Sequence, residues 1–567
     1  MKLGRHGLPS VCELVGRQRR PSATTRSCRV ECTTLRRHAT GSTQLAWQEF
    51  NHDLHTLPTF QTTSDNLDIL IEPRQFYQRL LQRIRQARHR IFIASLYIGK
   101  EEHELIDTLA SSLERNPQLQ VTILLDYLRS TRELPRPCSA SLAASLVARF
   151  PKQCQVRLYH TPNLNGWQKL IVPRRFDEGW GLQHMKCYGV DDNVIMSGAN
   201  LSNDYFTNRQ DRYIEFTNNQ PIADYFDQLV KLTNSFSFQT LAQDTTTRFP
   251  KIDIVWPSNN IVDKSFLSTS LLGLRSKSKL SELKSRANES LNALTNEWRS
   301  KSTSRRSSSS PSDTYDTVLR PVIQMGTFDI RQETNLVIPT IFKLANRFAE
   351  APNGWKTTID WTSGYFSVQE RYQQLVLESK SQVRLVSASP AANGFTGSRG
   401  VSKYIPPAYT HLQRMFYDQA NKRANKFGKE NHITIREWRK QDWTYHAKGI
   451  WLSPSLPNPI RNLSTTNLSP FNDANDNDLY FRHFWKQPVS LSYIGSSNYG
   501  QRSAQRDLEA NVLLTTTNKR LQQRLTNEVE HVRQDAIDQV NDRLFNKKDR
   551  RVKEGVKIAA KLIRDML

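Results

Sequence analysis

The chain has 567 residues, a hydrophobic fraction of 37% and a formal net charge of +25 at pH 7. This length allows two or three domains with sizeable cores. The charge indicates a negatively charged partner or substrate: nucleic acid, an anionic membrane surface or phosphorylated substrates. No run of about 20 apolar residues occurs, so a membrane-spanning helix is not expected and any membrane contact would be peripheral.

Residues 1–43 have the composition of a mitochondrial presequence. They contain eight arginines and Lys2 against only Glu13 and Glu31, they are rich in Ser and Thr, and they lack the apolar stretch of a secretory signal. We interpret this segment as a presequence that is cleaved on import, and a disordered basic tail is the alternative.

Residues 65–245 are predicted to form an α/β lobe. An apolar strand at Ile91–Ala94 runs into Ser95-Leu96-Tyr97-Ile98-Gly99, a helical pattern follows from Glu104 to Leu113, and a second strand spans Val121–Asp126. Strands that alternate with helices indicate parallel pairing in a layered α/β architecture.

Residues 265–313 are rich in Ser, Lys and Arg and are predicted to be a linker. One amphipathic helix is predicted at Leu280–Trp298, and the rest, including the serine run Ser307–Ser310, is expected to be flexible.

Residues 315–520 repeat the order of the first lobe. A strand at Thr357–Trp361 leads to Ser363-Gly364-Tyr365-Phe366, followed by a helix at Gln369–Glu378 and a strand at Val383–Val386. A polar insert at residues 454–478, full of Asn, Ser and Pro, is predicted to be a surface loop. The matching halves predict a duplicated domain with a site at the junction.

The last segment, residues 521–567, is predicted to be helical and basic. One helical face carries apolar side chains, namely Val552, Val556, Ala559, Ile563 and Met566. Such a face could lie on an anionic bilayer or pack on its own domain.

Each half contains a His-x-Lys motif at the same distance from its second strand. Val121 to His184 and Val383 to His446 both span 63 residues, and a lysine follows each histidine by two positions, as Lys186 and Lys448. Residues two apart in a strand point to the same face, so each histidine and its lysine are expected to enter the cleft together.

An asparagine and a carboxylate follow in each half with equal spacing. Asn200 precedes Asp211 by 11 residues, and Asn498 precedes Glu509 by 11 residues. A lone His-x-Lys has little meaning, but two in a repeat with matched Asn and acid offsets form a specific pattern.

This set of residues suits transfer at phosphorus without a metal. One imidazole can attack phosphorus while the other protonates the leaving oxygen. Lysines and asparagines can stabilise the developing negative charge, and a carboxylate can fix each ring's tautomer. Metal ligation is the rival role for paired histidines, but two lysines would repel a divalent cation and no cysteine pair has CxxC spacing. We expect no metal and no cofactor.

The paired motifs resemble the HKD motifs of the phospholipase D superfamily. The stretches around them are similar to those of the eukaryotic mitochondrial phosphatidylglycerophosphate synthases, at residues 181–186, 197–202, 205–213, 443–451 and 502–510. The resemblance covers residues 65–520 apart from the linker at 265–313 and the polar insert at 454–478. It implies a duplicated phospholipase D-like domain, with two α/β/α sandwich lobes, mixed sheets and the active site at their interface.

The resemblance also implies the reaction. The phosphatidyl group of CDP-diacylglycerol would pass to glycerol 3-phosphate through a phosphohistidine intermediate, giving phosphatidylglycerophosphate and CMP, the first committed step toward phosphatidylglycerol and cardiolipin. The enzyme would be mitochondrial and peripheral on the matrix side of the inner membrane, with an anionic lipid surface and no nucleic acid as partner.

Roles for individual residues follow from the resemblance. His184 is expected to be the nucleophile and His446 the general acid and later base, with the reverse as alternative, and Asp211 and Glu509 would orient them. The remaining expected catalytic residues are Lys186, Asp191, Asn200, Lys448 and Asn498. Asp191 is the first motif's acid, whereas Ser453 occupies the equivalent position of the second motif. Four arginines could bind substrate phosphates or form structural ion pairs: Arg209, Arg212, Arg502 and Arg506.

Several alternatives remain open. A phospholipase D-type phosphodiesterase or nuclease differs only in whether water reaches the intermediate, and a related phosphatidyltransferase would use another acceptor. The basic charge suits a nuclease, although much of the excess lies in the presequence and linker. A non-enzymatic scaffold descended from such an enzyme is a further alternative.

Overall fold

The computed structural model describes residues 43–164, 171–172, 176–243, 247–263, 277–308, 315–350, 357–427, 432–454 and 488–562. Nearly all of the predicted presequence and of the polar insert at 454–478 lies outside the described residues.

The strands of the described residues are labelled in chain order. They are β1 (Phe60–Thr62), β2 (Leu67–Leu70), β3 (Arg90–Ala94), β4 (Gln120–Asp126), β5 (Cys154–Tyr159), β6 (Cys187–Val190), β7 (Asn193–Ser197), β8 (Arg209–Gln210), β9 (Tyr213–Phe216), β10 (Phe238–Ala242), β11 (Ile252–Val255), β12 (Thr317–Met325), β13 (Ile330–Arg331), β14 (Thr358–Ser363), β15 (Gln382–Ala388), β16 (Ile433–Trp438), β17 (Thr444–Tyr445), β18 (Gly449–Ser453), β19 (Leu491–Gly495), β20 (Glu509–Thr516) and β21 (Asp538–Gln539).

The α-helices lie between and around these strands. Their bounds are Pro73–Gln86, His103–Arg115, Tyr127–Ser130, Ser139–Arg149, Asn203–Thr207, Gln220–Asn234, Lys277–Ser308, Ile338–Ala349, Glu370–Glu378, Ile405–Phe427, Gln501–Gln505, Lys519–Arg533, Asp542–Phe545 and Glu554–Leu562. Residues 43–53 are also helical. None of the helices in the described ranges is both long enough and apolar enough to cross a bilayer.

Two large mixed sheets form the two lobes. The first has the order β11-β10-β5-β4-β3-β6-β7-β9-β2, and the second has the order β1-β12-β20-β19-β18-β14-β15-β16-β21. Strands β3, β4 and β5 are parallel, as are β14, β15 and β16, and each parallel set is followed by an antiparallel neighbour, β6 or β18. The same order therefore occurs twice, which confirms the predicted duplication.

Both faces of each sheet are covered, as the continuous apolar runs of the inner strands predict. In β4, every residue after Gln120 is buried. One apolar layer covers the outer face of the first sheet and another the outer face of the second. A third layer lies between the sheets, where helices of both halves meet; it includes Phe226, Leu291, Trp298 and Leu525. Each lobe is therefore an α/β/α sandwich.

The segment predicted to be a linker contains a longer helix than the sequence pattern indicated. The helix spans Lys277–Ser308 rather than Leu280–Trp298, and it buries Leu283, Leu291 and Trp298 in the layer between the sheets. Its apolar face thus forms part of the core that both lobes share.

Elements at both ends also add to the second lobe. The helical residues 43–53 bury Ala46 and Phe50 against its outer core, and β21 extends its sheet beyond residue 520. The last helix, Glu554–Leu562, packs on the helix Ile405–Phe427 with Ala560 buried and Ile558 61% exposed.

Candidate active site

Backbone hydrogen bonds between the lobes place the two histidines. The amide of His184 donates to the carbonyl of Leu508 at 2.9 Å, and the amide of His446 donates to the carbonyl of Gln210 at 2.8 Å. Leu508 immediately precedes Glu509, and Gln210 immediately precedes Asp211. The segment before each motif lysine therefore pairs with the segment just before the carboxylate of the other lobe. The parallel strands β8 and β17 form part of this pairing.

The histidine–carboxylate pairs are consequently crossed between the lobes. His184 Nδ1 lies 3.0 Å from both carboxylate oxygens of Glu509, and His446 Nδ1 lies 2.7 Å from Asp211 Oδ2. Both imidazoles are only 4% exposed. Because Nδ1 of each ring is bound to a carboxylate, Nε2 is the nitrogen that remains for a reacting atom.

The two lysines lie beside the histidines that they follow. Lys186 Nζ donates to the carbonyl of His184 at 2.9 Å, and Lys448 Nζ lies 2.7 Å from His446 Nδ1. Gly198 makes room for this arrangement, since a Cβ atom there would lie 2.8 Å from Lys448 Nζ and 2.6 Å from Asp211 Oδ1. Both Nζ groups are buried and can donate to a phosphoryl group whose negative charge increases.

Burial controls the protonation of these groups. It lowers the pKa of both histidines well below the usual value, and the neighbouring lysines lower it further. Burial lowers the pKa of Lys448 to about 8 and raises the pKa of Asp211 to about 6. The pKa of Glu509 is also raised by burial. Both imidazoles are therefore neutral at neutral pH in the absence of substrate.

Both motif asparagines lie at the same cleft. Asn200 Nδ2 donates to the hydroxyl of Tyr205 at 3.1 Å, and this hydroxyl lies 3.4 Å from His446 Nε2. The backbone amide of Asn498 donates to Ser503 Oγ, which in turn donates to Glu509. The side-chain oxygens of both asparagines are buried and have no hydrogen-bond partner among the described residues.

Known proteins with similar sequences decide the family. Residues 80–232 match the family model described as "Cardiolipin synthase, PLD-like domain". A CDP-diacylglycerol–glycerol-3-phosphate 3-phosphatidyltransferase from Saccharomyces pastorianus is 35% identical over 525 residues, covering 91% of this chain and 90% of that protein. The mitochondrial protein of the same name from Bos taurus is 34% identical, covering 90% of this chain and 84% of that protein.

The chain belongs to the CDP-diacylglycerol–glycerol-3-phosphate 3-phosphatidyltransferase family. Family membership favours phosphatidyl transfer over the hydrolase, nuclease and scaffold alternatives, and the mitochondrial names within the family support a mitochondrial localisation. The crystal structure of phosphatidylserine synthase from Haemophilus influenzae Rd KW20 has a TM-score of 0.59, is 18% identical, and covers 92% of this chain and 99% of that chain. This likeness supports the duplicated phospholipase D-like fold.

Asp191 lies outside the active site of this phosphatidyltransferase family member, contrary to the sequence-based expectation. It occupies the turn between β6 and β7 with a φ of 51°, and its carboxylate accepts the backbone amides of Arg88, His89 and Arg90. These amides lead into β3, at the end of the sheet opposite the histidines. Asp191 therefore braces a turn, and Ser453 at the end of β18 removes no group from the cleft.

The four predicted phosphate-binding arginines differ in their surroundings. All five N–H groups of Arg212 donate to protein acceptors: the Glu528 carboxylate, the Ser492 hydroxyl and the carbonyls of Lys448 and Tyr493. Its guanidinium has no donor left for a phosphate, which favours the structural alternative for this residue. Arg506 donates to the carbonyl of Gly179. Arg209 pairs with Asp204 and lies over the ring of Tyr205, and Arg502 pairs with Asp507, which lies beside His184.

Sequence reasoning missed the residues that hold the catalytic groups in place. Ser496 and Ser503 donate to Glu509, and Tyr205 and Tyr365 pack edge-on to His446 with ring centroids 5.1 and 5.8 Å away. The repeat could have identified Tyr365, because Tyr365 follows β14 at the position that Tyr97 occupies after β3. No spacing in the sequence identified Tyr205.

One cluster could in principle hold a metal ion. Ligand atoms of His184, Asp507 and Glu509 lie within 4.8 Å of one another. Asp507 already accepts the amide of Leu182 and Nε of Arg502, and Glu509 accepts two serine hydroxyls. Because protein donors occupy both carboxylates and two cations lie close by, these acids suit the orientation of His184 better than the coordination of a metal.

Proposed function

We propose that this chain transfers the phosphatidyl group of CDP-diacylglycerol to the primary hydroxyl of glycerol 3-phosphate, releasing CMP and forming phosphatidylglycerophosphate. The family supplies the donor and the acceptor. The observation that carries the mechanism is the crossed pairing, in which two buried imidazoles each bind the carboxylate of the other lobe through Nδ1. The Nε2 atom of each histidine is then available to react at one phosphoryl group in the cleft.

In the first step, His184 Nε2 attacks the phosphatidyl phosphorus. The bond from this phosphorus to the bridging oxygen breaks, and CMP leaves with that oxygen. His446 takes up a proton when the anionic donor binds beside the lysines and supplies it to the leaving oxygen. The bidentate contact of Glu509 with Nδ1, itself fixed by Ser496 and Ser503, supports His184 as the nucleophile because it holds the ring in one orientation.

In the second step, the hydroxyl of glycerol 3-phosphate attacks the phosphatidyl-histidine. His446 accepts the hydroxyl proton, the phosphorus–nitrogen bond breaks, and His184 returns to its neutral form. Lys186, Lys448, Asn200 and Asn498 would donate to the non-bridging oxygens, whose charge increases in both transition states. Each step is therefore an in-line displacement in which only the two histidines exchange bonds or protons.

We also propose that the enzyme acts as a peripheral protein on the matrix side of the inner membrane. Its lipid donor requires the cleft to meet a bilayer, and the basic C-terminal helix exposes Ile558 next to lysines. The named substrates account for the phosphate-binding groups, so we infer no nucleic-acid partner. The lobes at 65–245 and 315–520, joined through 265–313, remain the proposed domain division.

The reaction is tested with vesicles that contain radiolabelled CDP-diacylglycerol, incubated with the purified protein in EDTA with or without glycerol 3-phosphate. We expect steady release of CMP only with the acceptor, phosphatidylglycerophosphate as the lipid product, and no loss of rate on chelation. His184→Ala and His446→Ala serve as inactive controls. Steady CMP release with phosphatidic acid as product in the absence of acceptor, or a strict preference for another alcohol, would contradict the proposal.

A further inference from the structure

The two halves carry an ion pair at equivalent positions of the repeat, but the acid and the arginine have changed places between them. Asp204 pairs with Arg209 at 3.1 Å in the first lobe, and Arg502 pairs with Asp507 at 2.9 Å in the second. Asp204 and Arg502 each follow their motif asparagine by four positions, and Arg209 and Asp507 each follow it by nine. The duplication has therefore placed its two arginines at different points around the histidines.

Arg209 is on the His446 side and Arg502 is on the His184 side. The Arg209 guanidinium lies 4.5 Å over the ring of Tyr205, whose hydroxyl is 3.4 Å from His446 Nε2. Arg502 binds Asp507, which lies with His184 and Glu509 in one compact cluster. The cleft is thus electrostatically asymmetric in spite of the symmetry of the fold.

Arg209 keeps donors that the protein does not use. Its Nε donates to Thr444 Oγ1 and one Nη2 hydrogen to Asp204, while Nη1 has no acceptor in the part of the chain that the structure describes. The side chain is only 12% exposed, whereas that of Asp204 is 59% exposed. Arg212, three residues later, has all its donors satisfied. Arg209 is therefore a largely buried cation with an unused donor.

The hydroxyl of Tyr365 borders the same space. A Cβ atom at Gly394 would lie 3.2 Å from this hydroxyl and 3.5 Å from Arg209 Nη2, so the two donors meet at one point on the cleft wall. The Tyr365 ring also stacks on Tyr409 and packs edge-on to His446. A guanidinium and a phenol that converge beside a glycine form a subsite that suits a phosphate group.

The order of the reaction indicates which phosphate enters this subsite. In an in-line displacement with His184 as nucleophile, the leaving oxygen and later the attacking hydroxyl both occupy the position opposite His184, beside His446. The rest of the acceptor must then lie on the Arg209 side. Its three-carbon backbone separates the attacking hydroxyl from its phosphate, as the ring of Tyr205 separates His446 from Arg209.

We propose that Arg209 and the Tyr365 hydroxyl bind the phosphate of glycerol 3-phosphate on the His446 side and thereby select a phosphorylated acceptor over a free alcohol. This inference rests on the proposed function and on His446 as the base. It also couples binding to catalysis, because after burial and Lys448 the charge of Arg209 lowers the pKa of His446. An anion on Arg209 offsets that effect and makes His446 a stronger base when the acceptor is bound.

The test compares acceptors in wild type, Arg209→Gln, Arg209→Lys and Tyr365→Phe, with kcat/KM measured for glycerol 3-phosphate and for glycerol. We expect Arg209→Gln to lower the value for glycerol 3-phosphate by roughly 100-fold, with a smaller loss in Tyr365→Phe and partial retention in Arg209→Lys. The value for glycerol should not fall, because no charge-assisted bond to this acceptor is lost and the charge of Arg209 no longer weakens His446 as a base. Arg149→Gln, in an outer ion pair with Glu114, is the matched surface control.

A second readout separates this inference from the proposed function. The burst of CMP that accompanies the first turnover without acceptor should keep its amplitude in Arg209→Gln, which also shows that the variant is folded. Equal losses for glycerol 3-phosphate and glycerol, or an unchanged KM for glycerol 3-phosphate in Arg209→Gln and Tyr365→Phe, would overturn the subsite while wild type still makes phosphatidylglycerophosphate. A wild type without the CMP burst and without that product would overturn the proposed function itself.

Discussion

Burial sets the charge state of the residues in the cleft before substrate arrives. His184, His446, Lys186 and Lys448 are all at most 4% exposed, and removal from water disfavours their charged forms. Neutral imidazoles can attack phosphorus or accept a proton, and an anionic donor that enters between the lysines restores the protonated form of His446. Protonation and substrate binding are therefore coupled in this site.

The pH profile of kcat/KM for glycerol 3-phosphate is expected to be bell-shaped. Burial raises the pKa of Asp211 to about 6, so its carboxylate is present above that pH and its bond to His446 is lost as pH falls. Burial lowers the pKa of Lys448 to about 8, so its ammonium is present below that pH and is lost as pH rises. The limbs report coupled groups and should lie near these values.

Lys448→Arg tests the alkaline limb of that profile. Arginine stays protonated at every pH used, so the variant should lose the decline near pH 8 while it keeps the acid limb. A wild-type profile that remains flat from neutral pH to pH 10 would contradict the assignment to Lys448.

The sequence predicted which residues meet in the cleft but not which carboxylate binds which histidine. The repeat of His184 and Lys186 with His446 and Lys448 is visible as equal spacing along the chain. Which carboxylate meets which histidine depends on pairing between β8 and β17 and on the bond from His184 to Leu508, and spacing within one lobe contains no information about contacts between lobes. The crossed arrangement therefore had to come from the structure.

At the scale of the elements, the turn between β6 and β7 explains why the motif acid Asp191 lies away from the cleft. Asp191 adopts a left-handed conformation and accepts three consecutive amides that lead into β3. A positive φ cannot be seen in a spacing pattern, so the sequence predicted that Asp191 belongs to the catalytic group. The helix Lys277–Ser308 is a similar case, because its apolar stripe was visible only from Leu280 to Trp298.

Asp191→Ala is expected to destabilise the fold and leave the chemistry intact. Loss of the amide acceptors together with strain at the left-handed position should lower the free energy of unfolding by about 2–3 kcal/mol. The value of kcat/KM per folded enzyme should stay within about 2-fold, since the Asp191 carboxylate touches no reacting atom. Urea unfolding and steady-state assays measure the two effects.

The neighbouring Asp192 provides the matched control. It is 52% exposed and pairs with Arg90 at 3.6 Å, so Asp192→Ala should cost less than about 1 kcal/mol. A large loss of kcat/KM in Asp191→Ala without a loss of stability would return this residue to the catalytic group.

At the scale of the whole molecule, Arg212 holds the lobes together behind the site. It belongs to the first lobe, yet its guanidinium binds Glu528 through two bonds of 2.9 Å and lies 3.8 Å over the ring of Trp451, both in the second half of the chain. Glu528 also accepts from Trp451 Nε1. This buried network fixes the distance between the two sheets and hence between the two histidines.

Arg212→Met should be strongly destabilising because it leaves the Glu528 carboxylate buried without its cation. Removal of one partner of a buried pair costs about 3–5 kcal/mol, and the further change Glu528→Gln should restore part of this loss. Thermal unfolding of wild type, the two single variants and the double variant gives a double-mutant cycle. Strictly additive losses would show that the two residues are not coupled.

The central claim is that one imidazole from each lobe serves a single phosphoryl group, with His184 forming the covalent bond. CMP is a good leaving group, so the covalent intermediate should still form slowly without His446, whereas its breakdown requires the missing base. The most direct measurement is to quench His446→Ala and His184→Ala after incubation with CDP-diacylglycerol labelled in the phosphatidyl phosphate, and to map the labelled peptide. We predict label on the peptide that contains His184 in His446→Ala and none in His184→Ala. Label on His446 in His184→Ala would reverse the roles. If wild type is active and labelled but neither variant is, the assignment of His184 as a nucleophile that can act without His446 would be contradicted.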